Sequence, residues 1–108
     1  MKTATNSGAA AARLEQTPLN PASERDYWHV NYMTRPYYDE SRSFGDYEPA
    51  YRFGWERASA MSGSTFEAAE KGLARDWKAY RGESRWSWAE VREAVRDAWM
   101  RIRRNRET

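Results

Sequence analysis

With 108 residues, no cysteine and a net charge of +2, the chain has room for one domain and cannot build a disulfide framework, a thiolate metal site or a thiol nucleophile. A net charge this small gives a weak global field, so any electrostatic attraction has to come from a local patch. No apolar run approaches the ~20 residues of a membrane-spanning helix, and none has the length of a signal-peptide apolar region; with the missing cysteines this predicts a cytoplasmic protein.

Residues 1–25 are rich in Ala, Thr, Asn, Ser and Pro and hold no Trp, Tyr or Phe. The Ala9–Leu14 stretch is too short to be helical alone, so this segment reads as a disordered tail. The helical domain is expected over 26–108, with an aromatic arm at 26–45. In the arm, Trp28 and Tyr32 are one helical turn apart, which predicts a short helix or turn opened by Ser23 with Asp26. Pro36 biases Arg35 away from the α region, so that turn ends by Thr34, and Tyr37 or Tyr38 is carried across the bundle. Ser41–Gly45 reads as a loop.

A helix is predicted over about 46–61, with Asp46 as N-cap and Pro49 in the first turn. Tyr47, Ala50, Tyr51, Gly54, Trp55, Ala58 and Met61 recur at three and four, making one face. Gly54 sits in mid-stripe, where it costs about 1 kcal/mol relative to Ala; close approach of a neighbouring helix would explain it. Ser62-Gly63-Ser64 ends this helix.

Two further helices, at about 65–81 and 87–104, are near copies offset by 22 residues. Phe66, Ala69, Leu73, Trp77 and Tyr80 match Trp88, Val91, Val95, Trp99 and Ile102, each set following a hydroxyl cap, Thr65 or Ser87. Gly82 is the expected left-handed residue between them, with Trp86 turned back over that connection. The fold class predicted is all-α, a small three-helix bundle with an aromatic N-terminal arm, the last two helices forming a hairpin. Charged residues fill the outer faces, with Asp97 and Arg101 four apart as a surface pair.

Tyr27-Trp28-His29-Val30-Asn31-Tyr32-Met33-Thr34-Arg35-Pro36-Tyr37, then Asp46-Tyr47-Glu48-Pro49-Ala50-Tyr51-Arg52-Phe53-Gly54-Trp55-Glu56, resembles a bacterial stress-associated small-protein module. That module has the form Y-W-x-x-N-Y-x-x-R-P-Y, then D-Y-x-P-A-Y-R-Y-G-W-E, then an aromatic-led helix ending D-W. It closes with a helix like Ala94-Val95-Arg96-Asp97-Ala98-Trp99. The likeness covers nearly everything after Asp26, with Phe53 where such sequences have Tyr. It implies a link to stress responses and no catalytic activity.

The inventory points to no catalytic residue, metal or cofactor. His29 is the single histidine, no glycine-rich phosphate loop is present, and the carboxylates lie on charged helix faces. Trp55, Trp77, Trp88 and Trp99 follow helical periods and read as core. Trp28, Tyr37, Tyr38 and Trp86 are less constrained by period and are the candidate interaction patch. Arg101, Arg103, Arg104 and Arg106 are the candidate nucleic-acid contacts, against an ordinary role beside a helix C-terminus. The expected function is non-enzymatic, binding a protein partner or a second copy of the chain. Nucleic-acid binding through the arginine tail is the alternative, and a ligand held between the arm and the bundle is a third reading.

Overall fold

The structure, a computed structural model, describes residues 19–61, 63–81 and 85–107, the side chains of 106 and 107 excepted. These residues contain four α-helices and no strand: α1 (Pro21–Asn31), α2 (Phe44–Ala60), α3 (Phe66–Tyr80) and α4 (Trp88–Glu107), with a 3-10 turn at Tyr32–Thr34. The all-α expectation holds, but with four helices in place of three.

The additional helix is α1, and it starts inside the stretch expected as tail. Asn20 caps it, accepting the Ser23 N–H at 3.2 Å, and Pro21 stands at its start, where a missing N–H leaves nothing unpaired. Ser23 is therefore within the helix and does not cap it. Expected disorder over residues 1–18 lies outside the described residues. The 3-10 turn stops at Thr34, and Arg35 is extended (ψ 148°) before Pro36, as the steric rule for that position requires.

Helix α2 begins at Phe44, two residues ahead of the expected start. Ser43 is its N-cap, and Asp46 closes a capping box by accepting the Ser43 N–H at 3.0 Å. The expected loop is thereby shortened and Phe44 enters the core. Pro49 consequently lies beyond the first turn; the carbonyl it deprives of a donor belongs to Gly45, which is exposed and open to water. The later caps are as expected. Thr65 Oγ1 accepts the Ala68 N–H at 3.1 Å, and Ser87 and Glu90 form a reciprocal box at 2.8 and 3.3 Å. Gly63, at φ +91°, makes the turn between α2 and α3, whereas Gly82 lies outside the described residues.

The periodic residues form the core. Phe66, Ala69, Leu73 and Trp77 of α3 and Val91, Val95, Trp99 and Ile102 of α4 are buried, with Tyr80 and Trp88 half-buried at the ends of the two stripes. Helix α2 is buried on more than its stripe, since Phe53 is also fully enclosed, edge-on to Trp77 at 5.4 Å between ring centres. Its broad burial follows from position. Helix α1 covers one side of α2, and α4 packs along α2 more extensively than along α3. The last two helices pair as expected, since α3 meets α4 more than it meets α2, while the larger contact of α4 is with α2.

Gly54 is the point of closest approach. A Cβ there would overlap the Val95 carbonyl oxygen and stand 2.8 Å from Ala98 Cβ. The obstacle is the backbone of α4, which no rotamer change can move. Helix propensity alone would make Gly54→Ala stabilising by about 1 kcal/mol. Overpacking at this contact predicts a net loss of about 1–3 kcal/mol, larger for Gly54→Leu, measured by urea denaturation. A stabilised Ala variant would show that the helices do not meet here.

Candidate binding cleft and the network behind it

Beyond Thr34 the arm is fastened by a polar network in a largely aromatic setting. Arg35 donates from Nε to Asp97 Oδ2 at 2.7 Å and from Nη2 to Oδ1 at 3.2 Å, a two-pronged grip on one carboxylate. Tyr37 Oη donates to Asp97 Oδ2 at 2.7 Å and lies 2.8 Å from Tyr51 Oη. A tyrosine has one hydroxyl proton. Because Tyr37 gives its proton to the carboxylate, Tyr51 is the donor between the two rings, and the chain runs Tyr51 to Tyr37 to Asp97. Arg35, Tyr37, Tyr51 and Asp97 thus join the arm, α2 and α4 at one point.

That arrangement corrects the expected pairing of Asp97 with Arg101. Arg101 instead donates to Glu24 Oε1 at 3.0 Å, with its guanidinium 3.7 Å from the centre of the Tyr27 ring. Glu24 is buried beneath it. Helix α1 is therefore held to α4 by a shielded, charge-assisted contact, while Trp28 stacks it on Tyr51 of α2.

Between the fastened arm and the start of α4 lies a cleft of ≈ 170 Å³, lined by Tyr37, Asp39, Arg42, Tyr47, Trp86 and Glu90. Tyr47 is a fixed wall: its hydroxyl accepts the Asp39 N–H at 2.8 Å, and Trp86 stands against it edge-on, at 5.0 Å and 83°. Trp86 is anchored through its carbonyl, which accepts from Trp77 Nε1 at 2.9 Å and Arg81 Nη1 at 3.1 Å. The Arg42 guanidinium lies 3.9 Å from the centre of the Trp86 ring. Its Nη2 is 3.7 Å from Glu90 Oε2 and its Nε 3.8 Å from Asp39 Oδ2. Hydrogen bonds from the Ser41 hydroxyl and backbone hold the Asp39 carboxyl below its usual range, and those from Ser87 do the same for Glu90. Both are carboxylates at neutral pH.

Of the four aromatics singled out in sequence, Tyr37 and Trp86 line this cleft. Tyr38 is beside it, half-buried and edge-on to Tyr32 at 5.5 Å. Trp28 is not available to a partner: it is 3% exposed and stacked on Tyr51 at 4.5 Å. Its isolation in sequence hid a place in the core. Asp39, Arg42, Tyr47 and Glu90 are the lining residues that sequence reasoning missed. Glu90 was legible only as a capping residue, Tyr47 only as core, and Asp39 and Arg42 only as loop charges.

The arginine tail is not a single free patch. Arg101 is engaged as above, and Arg103 reaches the Met61 carbonyl with its guanidinium 5.2 Å from the Trp99 ring centre. Arg104 is exposed, and the Arg106 side chain lies outside the described residues. His29 stacks on Phe44 at 4.7 Å. Among the described residues no group of three His, Cys, Asp or Glu is placed to hold a metal ion, and no helix is long and apolar enough to cross a membrane.

Burial, above all, raises the Tyr37 and Tyr51 hydroxyls well above the ordinary 10.0. A tyrosine whose folded pKa is raised contributes stability in full below the unfolded value and loses it as pH climbs from there toward the folded value. Stability is therefore expected to be insensitive to these two groups below about pH 10 and to fall above it. Tyrosinate absorbance followed together with circular dichroism checks this. The buried tyrosines should ionise only as helix signal is lost, and Tyr37→Phe should soften that coupling; full ionisation of a folded chain would contradict the network. No family model matches the chain, and neither curated proteins nor solved structures give a match, so its function is read from the cleft itself.

Proposed function

We propose that the protein is a non-enzymatic interaction module that binds a protein partner, or a second copy of itself, at the cleft between the arm and α4. The observation that carries this reading is a cleft in which half-buried Tyr37 and Trp86, backed by buried Tyr47, stand beside Arg42 and two ionised carboxylates, on residues fixed from behind. Tyr, Trp and Arg are the residues that dominate protein interfaces, and rigid anchors lose little entropy on binding.

Size favours a partner's side chain over a small-molecule substrate. Ligand pockets typically span about 300–1,000 Å³, whereas this cleft holds ≈ 170 Å³, room for one inserted side chain. Its acids also argue against general acid catalysis, because both are held below the usual carboxylate range. The nucleic-acid reading is weaker, since Arg101 and Arg103 are turned onto their own fold, and of the described side chains in that cluster Arg104 is the one left exposed. A cytoplasmic, stress-related setting belongs to the same proposal and is supported by composition and by the resemblance in the two aromatic motifs.

Light scattering across a concentration series, with affinity capture and cross-linking, tests the reading. Trp86→Ala, verified as folded by circular dichroism, is expected to weaken a dimer or a captured complex by about 2 kcal/mol, roughly thirtyfold. A strict monomer with no partner, or an association indifferent to Trp86, would overturn it.

A further inference from the structure

The geometry points to a cation-accepting aromatic box that Arg42 fills in the resting chain, and that takes the arginine side chain of a partner in its place. This rests on the cleft being the binding site and names the chemistry of what enters it. The face of an indole is the best of the aromatic seats for a cation, and Trp86 carries the Arg42 guanidinium 3.9 Å from its ring centre. Buried Tyr47 backs the same indole edge-on, and Tyr37 lines the same cleft. Asp39 lies toward the Nε edge of the guanidinium and Glu90 toward an Nη, so a flat cation stacked on the indole has a negative charge near each of two edges. That match favours guanidinium over a compact ammonium.

Arg42 is seated loosely. Its two carboxylate distances, 3.7 and 3.8 Å, lie outside hydrogen-bond range, in contrast to the 2.7 Å contact of Arg35 with Asp97. Exposed pairs of that kind contribute little. The arginine also stands on a turn outside the helices, its N–H bonded to the Asp39 carbonyl at 3.0 Å, so swinging its side chain away leaves the backbone turn intact. With Arg42 withdrawn, the remaining lining residues are Tyr37, Asp39, Tyr47, Trp86 and Glu90. They comprise three aromatics and two negative charges with no cation, a surface that attracts a cation and repels an anion. Arg42 is then a tethered competitor, and a tethered group acts at an effective concentration in the millimolar range.

The test uses the full chain and the indole N–H resonance of Trp86, assigned with Trp86→Phe. N-acetyl-arginine amide and N-acetyl-glutamate amide are titrated into wild type, Arg42→Ala and, in case the first variant loses its fold, Arg42→Gln. Removing the competitor is expected to tighten acetyl-arginine amide by about tenfold, with the Trp86 resonance moving. Adding Glu90→Gln, which retains a capping-box side chain, is expected to weaken that binding several-fold. The anionic amide is expected to leave Trp86 unmoved in every variant. An arginine affinity unchanged by loss of Arg42, or an anion bound only when Arg42 is present, overturns the inference. Its failure is separable from that of the module reading. A complex that depends on Trp86 with a flat cation titration sinks the cation box alone. A positive titration in a chain without partner or dimer sinks the module alone.

Discussion

Asp97 is the residue on which the rest of the arrangement depends. Its carboxylate, 15% exposed, takes two hydrogen bonds from Arg35 and one from Tyr37, and Tyr37 in turn accepts from Tyr51. Charge-assisted bonds of this kind are worth more than neutral ones, and each partner removed leaves a shielded polar group unsatisfied. Through this point the arm, α2 and α4 acquire one relative position. The cleft follows from it: Tyr37 becomes a wall, the Asp39 N–H reaches Tyr47, and Arg42 falls over Trp86. The proposed binding chemistry is thus a consequence of how a structural carboxylate is satisfied.

The second constraint is the meeting of α2 and α4 at Gly54. Without a side chain there, the Val95 carbonyl and Ala98 can lie against the α2 backbone. Six tryptophans, seven tyrosines and three phenylalanines is a large aromatic complement for a chain with few aliphatic residues. Most of it is core: Trp28, Trp55, Trp77 and Trp99 are each 3% exposed or less. Large rings suit a small domain, since each buries a large apolar area. What remains at the surface is half-buried, with Tyr37 and Trp86 at the cleft and Tyr27, Tyr80 and Trp88 away from it, so the exposed aromatic surface is smaller than the composition suggests.

Local signals carried most of the fold. The stripes of α3 and α4, the caps at Thr65 and Ser87, the end of the first turn at Thr34 and the crowding at Gly54 all follow from periods or steric rules acting over a few residues. Helix α1 was hidden because it buries only Glu24 and Trp28, too few to make a period, while its start depends on Asn20 and Pro21 within a polar stretch. The α2 boundary shifted because Asp46 can cap directly or close a box with Ser43, and Phe44 gains burial only in the second case. The cleft was the least legible part. Arg35 with Asp97, Arg101 with Glu24, and Arg42 with Trp86 are contacts across tens of residues, and a carboxylate four residues from an arginine on one helix reads identically whether or not the two meet.

The most direct measurement is a double-mutant cycle between Arg35 and Asp97, with Arg35→Ala, Asp97→Asn and the pair compared by urea denaturation. The fastening of the arm at Asp97 predicts that the two single losses overlap, with a coupling of about 1–2 kcal/mol. Single effects that add within about 0.5 kcal/mol would mean that the two side chains act independently, and that the arm, and the cleft it forms, is held by something other than Asp97.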